Sequence, residues 1–100
     1  MNIEKVCRDA IKVVEKYLAG DLIAADMYDE LQEAQDAADD AWDEANRIWC
    51  FHITELDNNN KPVSSKSNRI CRAAWHACLA AKNDERSLAK MYVNGYWELV

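Results

Sequence analysis

From Met27 onward, apolar or small residues recur in strict alternation of four and three: Met27, Leu31, Ala34, Ala38, Ala41, Ala45, Ile48 and His52. That spacing is a heptad seam, the apolar stripe that a helix turns toward a neighbouring helix. No Gly or Pro occurs between positions 21 and 60, so nothing in the composition interrupts it. The pattern predicts one helix over about 22–54, roughly 50 Å long if straight. A second stripe, Tyr28, Gln35, Trp42, Trp49 and Leu56, runs beside the first at period seven. Because the seam is mostly Ala, its partner helix must approach closely. That partner is either another helix of the same chain, in a bundle, or a second copy, in a homodimer.

The rest of the chain supplies candidate partners. Ile3, Val6, Cys7, Ala10, Ile11, Val14 and Leu18 describe one helix face over about 3–19. Asn2 is placed to cap that helix, Met1 and Val6 to staple its entry, and Gly20 to end it in the left-handed conformation. Asp21 is placed to cap the long helix that follows. Residues 57–67, Asp-Asn-Asn-Asn-Lys-Pro-Val-Ser-Ser-Lys-Ser, read as a loop. Ser67 or Asn68 then caps a helix to about 82, with Cys71, Ala74, Trp75, Cys78 and Leu79 on one face. Asp84 caps a fourth helix over about 85–94, carrying Leu88, Met91 and Tyr92 and stopped at Gly95. The tail Tyr96-Trp97-Glu98-Leu99-Val100 is too aromatic to stand in water, so it either folds back onto the bundle or meets a partner. Two Gly and one Pro in 100 residues argue against a turn-rich sandwich or barrel. The expected fold is therefore all-α, one compact bundle of three to four helices with one long acidic helix.

The net charge of −6 is unevenly distributed. Residues 17–46 contain ten acids (Asp21, Asp26, Asp29, Glu30, Glu33, Asp36, Asp39, Asp40, Asp43 and Glu44) and neither Lys nor Arg. Residues 61–90 contain seven bases against two acids. Like-charge pairs four apart, such as Asp36–Asp40, Asp39–Asp43 and Asp40–Glu44, each cost a helix roughly a few tenths of a kcal/mol. Either the later helices neutralise this face across the bundle, or it faces solvent and meets a basic surface on another macromolecule. The carboxylates over residues 21–44 amount to about half the charge density of B-DNA over the same length. That suits an occupant of a basic groove better than a phosphate-by-phosphate replica, and it disfavours direct nucleic-acid binding. Trp42 and Trp49, two turns apart, either pack the core or give such a surface an aromatic anchor.

Other chemistries find little support. Cys50/His52 and His76/Cys78 are two residues apart, hence rotated by about 200° on a helix, and cannot chelate zinc as pairs. Cys71 and Cys78 share a face, but so do core residues, and buried inert thiols are the simpler reading. No Gly-rich phosphate loop, oxyanion loop or nucleophile elbow is present, so no catalytic residue, metal or cofactor is assigned and an enzyme is not expected. The start Met1-Asn2-Ile3-Glu4-Lys5 has no cationic segment leading into an apolar run, and no stretch approaches the roughly 18 apolar residues of a membrane span. A cytoplasmic protein with reduced thiols is the expectation.

The segment Val14-Glu15-Lys16-Tyr17-Leu18-Ala19-Gly20, followed by Glu33-Ala34-Gln35-Asp36-Ala37-Ala38-Asp39-Asp40-Ala41-Trp42-Asp43-Glu44-Ala45, resembles small helical Ala/Asp/Trp-rich phage-associated proteins. Arg72-Ala73-Ala74-Trp75-His76-Ala77-Cys78 has a similar texture, and the likeness extends to helical immunity proteins of bacterial toxin systems. The resemblance implies a phage or mobile-element origin. Together with the acidic helix, it leads to the expectation of a small inhibitor of a host defence system, of the anti-CRISPR or anti-restriction class, acting in the host cytoplasm on a basic protein partner. Asp29, Glu33, Asp36, Asp39, Asp40, Asp43, Glu44 and Trp42 form the expected partner-binding set. An oligomerising structural or regulatory module and a toxin-neutralising immunity protein are the alternatives.

Overall fold

A computed structural model describes residues 2–20, 24–55 and 63–100, with side chains described outside 48–55 and 63–65. The described chain is an all-α bundle of four helices: α1 (Ile3–Ala19), α2 (Tyr28–Glu55), α3 (Val63–Lys82) and α4 (Arg86–Leu99). A short 3₁₀ turn, Ala24–Met27, leads into α2. Helices α1 and α3 are the inner pair, each packed against α2 on one side and α4 on the other, while α2 and α4 lie diagonally apart.

As far as Ala45 the heptad seam is the inner face of α2; the side chains of Ile48, Trp49 and His52 lie outside the described residues. Met27, Leu31, Ala34, Ala38, Ala41 and Ala45 are all buried, and Ala74, Ala77 and Ala81 of α3 are buried as well. With alanine on both helices, the backbones can pack closely and no larger side chain is needed between them. The bulk of the core comes from α1 and the ends of the other helices: Ile11, Val14, Tyr17, Met27, Leu31, Ile70 and Tyr96. In α1 the Asn2 side chain accepts from the Lys5 backbone N–H at 3.1 Å, capping the helix as its sequence suggests.

Several boundaries differ from the sequence expectation. Gly20 does end α1, but in extended conformation (φ −99°, ψ 178°) rather than left-handed. The long helix starts at Tyr28, after a tighter turn that buries Ala24 and Met27 at i and i+3. Helix α3 begins at Val63, so Val63–Ser67 are helical and Ser67 and Asn68 lie inside the helix rather than capping it. Ser suits the first turn of a helix as well as it suits a loop. Helix α4 runs through Gly95 to Leu99, so the aromatic tail is a helical turn that buries Tyr96 and leaves Trp97 exposed, its indole N–H donating to Glu15 at 2.8 Å. The core face of α4 is Ala89, Val93 and Tyr96, and Met91 faces outward at 56% exposure. The Met1 staple, the Asp21 cap and positions 57–62 of the expected loop lie outside the described residues.

Between α3 and α4, Asp84 takes a left-handed conformation (φ 60°). The Glu85 N–H bonds the Ala80 carbonyl at 2.9 Å and the Asp84 N–H bonds the Ala81 carbonyl at 3.0 Å. This is a Schellman motif with Asp in the position usually held by Gly. Asp84 therefore terminates α3 instead of capping α4, whose N-cap is Glu85 without a side-chain bond. Its carboxylate accepts from the hydroxyl of buried Tyr17 at 2.5 Å, tying the α3–α4 turn to α1.

Candidate functional site: the acidic face of α2

With the seam turned inward, helical periodicity carries the acids outward. At 100° per residue, Asp29, Glu33, Asp36, Asp40 and Asp43 fall opposite the line of Leu31, Ala38 and Ala45, with Asp39 and Glu44 on either flank. Asp29, Glu33, Asp36, Asp39, Asp40 and Asp43 are exposed, and Glu44 is half-buried. Asp29 to Glu44 spans about 22 Å of helix. The structure thus gathers all seven expected carboxylates on one outer face of a single helix.

Few of them have a basic partner. Glu44 pairs with Arg47 one turn on at 2.5 Å, and that hydrogen bond holds its carboxyl below the usual glutamate range. Glu30, at the edge toward α1, pairs with Lys16 at 3.2 Å. Asp36 accepts from the Gln32 amide at 3.0 Å. Among the described residues, no ion pair joins the face to a base of residues 61–90. The geometry explains why. Arg69 and Arg72 line a groove between α3 and α4 rather than the acidic face of α2. Lys82 does reach α2, but its ammonium donates to the side-chain oxygens of Gln32 (2.5 Å) and Gln35 (2.7 Å) and lies 5.2 Å from the Tyr28 ring centroid.

Trp42 is half-buried, with its ring 6.0 Å from that of Trp75 and 6.5 Å from that of His76. His76 stacks on Tyr92 at 5.1 Å, so Trp42, Trp75, His76 and Tyr92 form an aromatic row running from α2 across α3 to α4. At 100° per residue Trp42 falls near the line of Leu31, against α3 and away from the carboxylate row. The expected set is therefore not brought together whole, and the face rests on the carboxylates alone. Burial, and then the positive charge of Arg72, hold His76 below the usual histidine range. Sequence periodicity missed the row because its members belong to three helices. The i, i+1 pair Trp75-His76, with Tyr92 a helix away, was the only visible trace.

Cys71 and Cys78 are buried in the core with Cys7, and burial pushes the Cys78 thiol up to about 12. Among the described residues no group of three or more His, Cys, Asp or Glu could hold a metal ion, and no helix is long and apolar enough to cross a membrane. What the α2 face offers is negative potential and carboxylate acceptors held in a fixed row. No family model matches the chain, and no curated protein or solved structure does either.

Proposed function

We propose that the chain is a small protein-binding inhibitor of the phage type, which occupies a basic nucleic-acid-binding surface of a host defence protein with the outer face of α2. The observation that carries this reading is the row Asp29, Glu33, Asp36, Asp39, Asp40 and Asp43, exposed and without a basic partner among the described residues. Such a row costs the isolated helix stability through like-charge repulsion. A Lys/Arg-lined groove would turn that repulsion into attraction and speed the encounter. The anti-CRISPR or anti-restriction class is proposed from the acidic helix and the small size of the chain, together with the resemblance of the Ala/Asp/Trp-rich segments to phage-associated proteins.

An immunity protein would use the same face on a toxin, and the identity of the partner separates the two. A module oligomerising through the Ala seam is less favoured, since that seam is already buried against the rest of the bundle. The test is capture of partners from a bacterial lysate at low and at high salt, followed by their identification. The reading expects a nucleic-acid-binding protein retained at low salt, released as the Debye length shortens from about 10 Å to about 3 Å, and blocked from its nucleic acid by the added chain. Capture that ignores salt, or a partner that still binds its nucleic acid in the complex, would refute it.

A further inference from the structure

The two inner helices meet through a pair of cysteines. Cys7 on α1 and Cys71 on α3 are fully buried, 64 positions apart in the chain, and the Cys7 thiol donates to the Cys71 sulfur at 3.0 Å. Among the described residues Cys78, two turns further along α3, has no such sulfur neighbour. An S–H group is a weak donor and contributes little by itself. The next core positions on the same helices, Ala10 and Ala74, are alanine, so packing here does not require sulfur. A disulfide has an S–S separation of about 2.05 Å, which these two atoms reach by closing roughly 1 Å, within the range of a side-chain rotation.

We propose that Cys7 and Cys71 are a redox-active pair that a small disulfide of the glutathione class oxidises to a bond between α1 and α3. The Cys7 thiolate attacks one sulfur of the oxidant, breaking its S–S bond, forming a mixed disulfide and releasing one glutathione thiolate. The Cys71 thiolate then attacks the Cys7 sulfur and expels the second glutathione thiolate. Two electrons pass from the pair to the oxidant, and the two cysteine protons end on the released thiols. In the closed bundle both sulfurs are out of reach, and the hydrogen bond to Cys71, then burial, hold the Cys7 thiol well above the ordinary range. Cys7 lies in the second turn of α1, however, and helix ends open at far lower free energy than the whole fold. In the opened segment the thiol returns to its ordinary acidity and can react. Redocking of α1 then presents it to Cys71. Since α2 and α4 both pack on the α1–α3 pair, the bond fixes the frame that carries the acidic face.

The test uses the full chain, reduced and then incubated with oxidised glutathione, with remaining thiols blocked before digestion. Trypsin cuts after Lys5, Arg8, Arg69 and Arg72, so the bond appears as Val6-Cys7-Arg8 joined to Ile70-Cys71-Arg72. That linked pair is the expected main product, with a melting temperature raised by about 10–25 °C and returned to its starting value by dithiothreitol. Bonds to Cys50 or Cys78 as the main product overturn the proposal. So does a lasting glutathione adduct on Cys7, or full alkylation of both thiols after prolonged exposure. Cys7→Ala should lose the oxidant-dependent shift. If that variant does not fold, Cys71→Ala serves the same purpose, and the peptide map of the unmodified chain decides alone.

Discussion

Replacing Asp40 by Lys makes the protein more stable, because Asp40 sits at the middle of the unrelieved row. Asp36 lies four residues before it and Asp43 three residues after it, and all three are exposed, while Glu44, four residues after it, is already paired with Arg47. Each like-charge neighbour costs roughly 0.2–0.5 kcal/mol, so removing the charge with Asn recovers about 0.4–1 kcal/mol. A Lys turns both repulsions into attractions and is the better helix former, for a total of about 1–2 kcal/mol. For a bundle of this length that corresponds to a rise in melting temperature of about 4–16 °C. The assay is thermal unfolding followed by far-ultraviolet circular dichroism in about 20 mM salt and again in about 1 M salt, where the gain should shrink. Asp29 is the internal control. It lies in the first turn of α2, where the helix dipole favours a negative charge, so Asp29→Lys should gain nothing. A melting temperature for Asp40→Lys equal to or below that of the wild type at low salt would refute the reasoning. It would mean that the face is neutralised in a way the described contacts do not contain.

Other consequences are equally direct. Tyr17→Phe removes the hydroxyl that donates to Asp84 and should cost about 1 kcal/mol in chemical denaturation, at the low end for a charged acceptor because Asp84 is exposed. Burial, then the Asp84 hydrogen bond, push the Tyr17 hydroxyl up to about 12, so the folded state holds this proton more tightly than the unfolded chain, whose tyrosine titrates near its ordinary value of about 10. That contribution is intact below pH about 10 and is lost as the pH rises toward 12, so wild-type stability should fall across this window more steeply than that of Tyr17→Phe. Ala41→Leu overfills the close seam and should cost about 1–3 kcal/mol, whereas the same change at half-buried Ala37 should be nearly neutral in the same assay. Lys82→Met keeps the aliphatic stem but leaves the buried Gln35 oxygen without its donor, a loss of about 1–2 kcal/mol measurable in urea.

Much of this architecture is legible in the sequence because periodicity is a local property. The 3.6-residue repeat of α1 and the heptad of α2 need no knowledge of the partner: Cys7, Ala10, Ile11 and Val14 of the first and the seam positions Met27 to Ala45 of the second emerge buried, with Ile3, Val6 and Leu18 half-buried. The fold departs from expectation where one residue type serves two purposes. Gly95 reads as a stop, yet α4 continues through it: a Cβ there would meet nothing within 4 Å, and burial of Tyr96 offsets the roughly 1 kcal/mol that a mid-helix glycine costs. Asp84 reads as an N-cap, yet its left-handed backbone and its bond to Tyr17 make it the end of α3. Contacts between residues far apart in sequence, such as Cys7 with Cys71 and Lys82 with Gln35, leave no periodic trace at all. For the candidate site, the sequence identifies which residues are acidic and places them on one helix. It leaves open whether the bases of residues 61–90 neutralise them, because that depends on which side of α3 those bases occupy. Arg69 and Arg72 line the α4 side.

The central claim is that the outer carboxylates of α2 make the partner contact. The measurement that tests it most directly is the affinity of the captured partner for wild-type chain and for the triple variant Asp36→Lys, Asp40→Lys, Asp43→Lys, at one low ionic strength. The variant should remain folded and at least as stable as the wild type, yet bind more weakly by roughly 10–100-fold, as expected when three complementary charges become repulsive. Equal affinity of the two proteins for that partner would contradict the claim.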